Sequence, residues 1–327
     1  MMLTIMTTKL NQFNKLTKLN KLTRLSKNSF LKLFTKNCSN SIKSENTKEK
    51  DMQVNIDLNY STHFTKSNIQ EIDEPCIDEL KAREELALCH RICEWLKLNE
   101  GVDNHLTMAL PCNTKFLIGC YGIAWNRVTA SNLLLVDING NVLRGKGTPQ
   151  LAGFTIHSNL HRGLGYKRAK VILHTHQPYT TALSVLSGEH GKIQNIHQNS
   201  CRFYNSVMYD NNYRGIVESK EEGERLLNLM LQNEKYRIIM MGNHGISTVA
   251  PSAAEALTDL YYLEAFCKVQ VLALSAAGGD LTKLRYLRQE IVEFTHNQYR
   301  ADPFFFANKL LDGWRKTMEH KQPDYKL

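Results

Sequence analysis

The first strongly patterned stretch of the chain carries apolar residues at helical spacing. Leu86, Cys89, Ile92, Cys93 and Leu96 fall on one face, with Glu84, Glu85, Arg91 and Glu94 on the other, which predicts a helix from Asp78 to Leu98. The pattern then shortens to strand-like runs at 106–110 and 115–118. A hairpin of 133–138 and 141–143 follows, and its Asn139-Gly140 pair accepts the positive φ of a tight turn. Helical spacing returns from Ala152 to Leu164, a strand is predicted from Ala169 to His176, and Pro178 opens a further helix at its first turn. Beyond a loop-rich stretch come a helix at 221–232 and a strand at 236–241. Ser252 and Glu255 then form a capping box for a long helix ending at Gly278-Gly279, and another helix spans 281–299. Strands alternating with helices, without an internal repeat, predict one α/β domain over 71–300. Residues 301–327, with Phe304, Phe305, Phe306 and Trp314, read as a C-terminal arm whose aromatics would pack on a neighbouring subunit.

Composition narrows the class. Hydrophobic residues at 42 % and charged residues at 22 % exclude wholesale disorder. No apolar run approaches the ~18 residues that a membrane-spanning helix needs. The net charge of +9 raises a nucleic-acid partner, but residues 1–44 hold nine basic groups and no acid, leaving 32 of each sign over 45–327. The charge therefore belongs to the extension, and the neutral body carries no nucleic-acid signature. Within the extension, Leu10, Phe13, Leu16, Leu19, Leu22 and Leu25 recur every three residues, so the stripe slips about 60° per step and never settles on one helical face. A basic, hydroxyl-containing, acid-free segment leaves two readings open: a mitochondrial transit peptide, or a solvated arm on a cytoplasmic protein. Residues 45–70 read as linker. The eight cysteines lack framework spacing, which favours a reducing compartment. Cys89 and Cys93 flank His90 on one turn and read as core thiols rather than a metal pair.

The chemistry concentrates at Val171-Ile172-Leu173-His174-Thr175-His176. Residues two apart on a strand point the same way, so both imidazoles can converge on one ion at the strand end. A catalytic zinc typically takes three protein ligands and keeps one open position. His244, in Gly242-Asn243-His244-Gly245 after another apolar strand, is the best third ligand, placed as a parallel neighbouring strand would place it. The residues alone leave open the plainer reading, in which both rings are merely hydrogen-bonded.

These motifs, together with Thr181-Ala182-Leu183-Ser184, Asn104-His105-Leu106-Thr107, Val128-Thr129-Ala130-Ser131 and the Phe116–Gly122 stretch, resemble the class II aldolase/adducin family. Ala152-Gly153-Phe154 with His157-Ser158 is especially similar to the adducin head, and the likeness runs in order from Leu80 to Ala277. Leu311-Asp312, Trp314 and Pro323-Asp324-Tyr325-Lys326 resemble the tails of stand-alone aldolase-like members, and the long adducin tail is expected to be lacking. The resemblance implies an αβα three-layer sandwich, a homotetramer, and Zn2+ held by His174, His176 and His244 at a subunit boundary.

Departures from the family pattern point away from phosphorylated sugars. Gly153 stands where the aldolases carry an acid/base glutamate, and such help is worth about 10²–10⁴-fold. Gly153→Glu is accordingly the rescue to attempt, to separate a dead aldolase from a repurposed one. Tyr121 replaces a threonine beside the retained Gly122, Leu151 and Ala152 replace a serine pair, and His105 replaces an asparagine. Substrate-binding candidates are thus His105, Thr107, Tyr121, Gly122 and Gly153. Catalytic candidates are His157, Tyr204 and Tyr209, with Tyr213 in the same tyrosine-bearing region. His161 is expected at the surface, and Asp259, Tyr261 and Tyr262 form a helix face. Two functions compete. One is a zinc-binding, oligomeric, adducin-like module associated with actin and spectrin, without classical aldolase activity. The other is a metal-dependent lyase or isomerase acting on an unphosphorylated hydroxy-carbonyl compound.

Overall fold

The computed structural model describes residues 77–216 and 220–327. The expected basic extension 1–44, the linker 45–70 and the first residues of the expected domain lie outside the described residues. Helix α1 (Ile77–Trp95) leads into β1 (His105–Ala109), β2 (Lys115–Ile118), β3 (Leu134–Asp137) and β4 (Val142–Arg144). Next come α2 (Leu151–Leu164), β5 (Val171–Thr175), α3 (Pro178–Ser184), β6 (Val207–Asp210), α4 (Lys220–Leu231), β7 (Ile238–Met241) and β8 (Gly245–Ala250). Three helices close the chain: α5 (Ala253–Ala276), α6 (Gln289–Ala301) and α7 (Pro303–Lys321).

The eight strands form one sheet in the order β4-β3-β2-β1-β5-β8-β7-β6, antiparallel throughout except for the β6–β7 pair. Alternation along each strand supplies two apolar faces. Leu106, Met108, Leu173 and Ile246 pack with Leu86, Ile92, Leu257, Leu263, Phe266 and Trp314 from α1, α5 and α7. Ile172, Ile239 and Val249 pack on the opposite side with Ile156, Leu160, Leu226 and Met230 from α2 and α4. Helices on both faces of one sheet make the αβα sandwich that the sequence implies.

Four expectations are corrected. Strands β6 and β8 were not anticipated, and β8 lies between β5 and β7, so β7 runs parallel to β5 without touching it. The expected helix at 281–299 begins only at Gln289, after a short 3-10 turn at Leu281–Lys283. The expected C-terminal arm is instead α7, folded onto α5 and α1, and a closing turn against α1. Trp314 and Tyr325 are buried in their own chain, while Phe304, Phe305 and Phe306 stay exposed. Arg91, itself buried, anchors the turn by donating to Val128 O at 2.8 Å, Gln322 Oε1 at 3.0 Å and Asp324 Oδ2 at 2.8 Å.

Candidate metal centre

The site is built where β1, β5 and β8 lie side by side. Register places His105 directly across from His174 on β1 and β5, and Ser247 on β8 directly across from His174. His176 follows the end of β5, before Pro178 starts α3. His244 lies in the β7–β8 hairpin, not on a neighbouring parallel strand. The hairpin is pinned by Gly242 N–H to Asp210 O (2.6 Å) and Asn243 N–H to Ser184 O (3.1 Å). Asn243 takes a left-handed φ of 58° there. Gly245 lets the hairpin close on the strand, because a Cβ at that position would stand 2.7 Å from Thr175 O and 2.8 Å from His176 Cδ2.

The three imidazoles meet. Ligand nitrogens of His174, His176 and His244 all lie within 4.8 Å of one another, and the Nε2 atoms of His174 and His176 are 3.0 Å apart. The outer nitrogens of His174 and His176 are engaged from behind. His176 Nδ1 donates to Glu100 Oε2 at 2.7 Å, and His174 Nδ1 lies 3.3 Å from Ser247 Oγ. Asn104 Oδ1 accepts from both Glu100 N–H (2.7 Å) and His176 N–H (3.3 Å), tying the carboxylate's loop to the ligand strand. Burial pushes the His174 imidazole well below its ordinary pKa, and burial followed by the neighbouring His176 pushes His244 down to about 4. Three imidazoles converging in this way, those of His174 and His176 with their outer nitrogens engaged, have the donor chemistry of a divalent-cation site. The residues fit such an ion.

Behind the triad runs a chain of buried histidines. His105 stacks on His174 with centroids 4.5 Å apart and meets His157 edge-on at 4.6 Å. His105 Nδ1 is 3.1 Å from His157 Nε2, His157 Nδ1 is 2.8 Å from Thr107 Oγ1, and Thr107 Oγ1 is 2.8 Å from His161 Nε2. The last ring's Nδ1 reaches Ala169 O at 2.5 Å. A carbonyl only accepts, so His161 carries its hydrogen on Nδ1. Burial lowers the pKa of all three imidazoles and keeps them neutral, and His161 falls to about 4. The Thr107 hydroxyl must then donate to His161 and accept from His157 Nδ1. His157 Nε2 accepts from His105 Nδ1, and the lone pair of His105 is left on Nε2.

Several expectations change accordingly. His161 is 1 % exposed rather than a surface group, and Thr107 is fully enclosed with its hydroxyl committed to two rings instead of facing a substrate. His157 is sealed inside as a link of the chain. Gly153 leaves no room for a side chain, because a Cβ there would lie 2.4 Å from His105 Cγ. A side chain placed there by Gly153→Glu would collide with the imidazole that fills the space. Tyr204 is committed elsewhere, donating to Glu293 Oε1 at 3.1 Å and accepting from Gln289 Nε2 at 2.6 Å. Tyr209 accepts from Ile193 N–H at 2.9 Å, and burial raises its pKa. Of the region's tyrosines it is Tyr213 that approaches the triad, its half-exposed ring 6.1 Å from His244. Tyr121 is also half-exposed, and Gly122 has a φ of 86°. Sequence reasoning missed Glu100, Asn104 and Ser247 as partners of the triad. Only their nearness to His105 or to His244 along the chain signals them. The Cys89 and Cys93 thiols are buried in the core, as the plainer reading has it.

Residues 84–271 match the sequence family described as Class II Aldolase and Adducin N-terminal domain. The chain is 31 % identical over 263 residues to an adducin-related protein of Schizosaccharomyces pombe, covering 76 % of this chain and 77 % of that one. Among solved structures it is similar to an aldolase II superfamily protein from Pseudomonas syringae. That match has a TM-score of 0.70 at 26 % identity and covers 78 % of this chain and 98 % of the other. It is also similar to L-fuculose 1-phosphate aldolase from Glaciozyma antarctica, with a TM-score of 0.64 at 26 % identity, covering 77 % and 96 %.

Proposed function

The chain belongs to the class II aldolase and adducin N-terminal domain family, and from that premise we propose that it is a zinc-binding member whose pocket serves an unphosphorylated hydroxy-carbonyl compound in a lyase or isomerase reaction. The observation that carries this reading is the convergence of His174, His176 and His244 with Glu100 and Ser247 behind them. A scaffold without chemistry has no need of three converging lone pairs held by a second set of partners. When bound, zinc supplies Lewis-acid polarisation of a carbonyl. Glu100 and Ser247 fix the ring orientations of His176 and His174. Tyr213 offers a hydroxyl at the open side near His244. The sugar-phosphate aldolase reaction is disfavoured, because no carboxylate stands at position 153 and Tyr121, Leu151 and Ala152 interrupt the phosphate cradle.

Metal analysis of the zinc-loaded full chain tests this. One equivalent is expected, lost in both His174→Ala and His244→Ala. Wild-type protein that takes up no zinc would refute it. Zinc-dependent turnover of an unphosphorylated hydroxy-carbonyl compound, abolished in His244→Ala, tests the reaction class.

A second reading is favoured by the likeness to an adducin-related protein and by the exposed Phe304-Phe305-Phe306 run: a homo-oligomeric module associated with actin and spectrin. Sedimentation velocity reads the self-association. Co-sedimentation with actin filaments reads the partner, and a chain left in the supernatant at saturating actin removes that reading.

A further inference from the structure

His176 is held from two sides, and only one of them is at its ring. At the ring, Nδ1 meets the largely exposed carboxylate of Glu100, and Gly245 lies against Cδ2. On the other side the chain runs through Gln177 straight into α3. That helix is seven residues long and supplies no cap of its own, since Gln177 at its N-cap makes no side-chain bond to the first turn. Pro178 has no N–H to satisfy, and Thr181 N–H reaches Gln177 O at 2.9 Å. The N–H groups of Tyr179 and Thr180 are left without a partner inside the helix.

Glu264, on α5, takes both. Its Oε1 accepts from Tyr179 N–H at 2.9 Å, and its Oε2 accepts from Thr180 N–H at 2.9 Å and from the Thr180 hydroxyl at 2.6 Å. One turn earlier on α5, Leu260 O accepts from Nε2 of the fully enclosed Gln177 at 3.3 Å. The start of α3 is therefore fastened to α5 at Gln177, Tyr179 and Thr180. Little slack separates that anchor from the ligand. Pro178 fixes its own φ, and Gln177, restricted by the proline after it, stands at φ −64° and ψ 137°. A shift in the first turn of α3 passes to His176 instead of being absorbed on the way. We propose that Glu264 is a positioning residue of the metal centre, whose carboxylate seats α3 so that His176 faces His174 and His244. The role rests on the zinc-binding reading for its ion, while the seat of α3 needs no metal.

The test uses the full chain as wild type, Glu264→Ala, Glu264→Gln and, as a destabilised control in the C-terminal turn, Asp324→Ala. Zinc affinity is read by competition with a chromophoric chelator. Glu264→Ala is expected to weaken it about 10-fold, the low end for an outer partner of a metal ligand because Glu264 acts through the backbone. Glu264→Gln keeps one carbonyl oxygen but turns an amide N–H2 toward the other backbone donor, so its loss is expected between those of wild type and alanine. Asp324→Ala is expected to keep wild-type affinity. Hydrogen exchange of the metal-free chain over residues 176–184 is expected to quicken in both Glu264 variants more than in Asp324→Ala. Wild-type zinc affinity in Glu264→Ala, or an equal loss in Asp324→Ala, overturns the role. Where Glu264→Ala fails to fold, the same readings on Glu264→Gln decide it. Wild-type protein that takes up no zinc refutes the metal reading alone. Unchanged exchange over 176–184 overturns the seat whether or not zinc binds.

Discussion

Replacing Gly153 by alanine measures directly how firmly His105 holds the site. The new Cβ would lie 2.4 Å from His105 Cγ, 2.7 Å from Cδ2 and 2.8 Å from Nδ1. Carbon atoms rest at about 3.5–4.0 Å, so the ring must retreat by roughly 1 Å. It has nowhere easy to go, with His174 stacked against it at 4.5 Å and His157 bonded to its Nδ1 at 3.1 Å. Overpacking of this kind costs about 1–3 kcal/mol, and stretching the His157 bond adds about 1 kcal/mol. Removing a helical glycine returns about 0.5–1 kcal/mol. The net expectation is destabilisation by about 2 kcal/mol, which for a body of this size lowers Tm by about 4–8 °C. In a His105→Ala background the three nearest clashes of that methyl are gone, and the change is expected to become neutral or stabilising by about 0.5 kcal/mol. Urea and thermal unfolding of the wild type, both single variants and the double variant give the coupling energy. Additive effects would refute the claim that His105 and a side chain at 153 compete for one volume. On the same reasoning a carboxylate at 153 is expected to fit only in a variant that lacks the His105 ring.

Other consequences are independent of that pair. Glu100→Gln should weaken zinc binding about 10-fold, the low end for an orienting partner because Glu100 is 69 % exposed. Competition with a chromophoric chelator reads this, and an unchanged affinity would remove Glu100 from the site. Metal-free protein should lose stability as pH falls from 6.5 toward 4, because burial holds His90 and His161 near 4 while the unfolded chain protonates them near 6.5. The stability is fully present above pH 6.5, and each ring costs roughly 1.4 kcal/mol per pH unit on the way down. Urea midpoints that stay flat between pH 7 and pH 5 would contradict it. Asp324→Ala should cost about 1 kcal/mol, since buried Arg91 keeps its bonds to Val128 and Gln322 and Asp324 is half-exposed. Removing residues 322–327 should cost several times more, because Arg91 then loses two partners and the pocket of Tyr325 empties. Thermal melts of the two variants compare them.

The periodicity of α1, α2 and α5, the Asn139-Gly140 turn and the His174–His176 spacing are local properties, and they were legible because backbone geometry converts spacing into facing. Strands β6 and β8 were not, since a four-residue run such as Val207–Asp210 carries little pattern of its own and is a strand only because β7 lies beside it. The C-terminal arm misled for a related reason. Aromatic residues announce that something will cover them without saying what, and Trp314 and Tyr325 found their cover on α1 and α5 while Phe304, Phe305 and Phe306 did not.

The sequence by itself offered the histidines that could bind a cation, because residue type and spacing are written along the chain, and its resemblance to the aldolases marked position 153 as lacking their carboxylate. Only the tertiary structure decided that His105 lies against both His174 and Gly153, that Glu100 and Ser247 back His176 and His174, and that His161 is buried at the end of a histidine chain. Those contacts join residues dozens of positions apart, brought together by strand register and helix packing. No local spacing encodes the direction in which a proton on one buried ring fixes the lone pair on another.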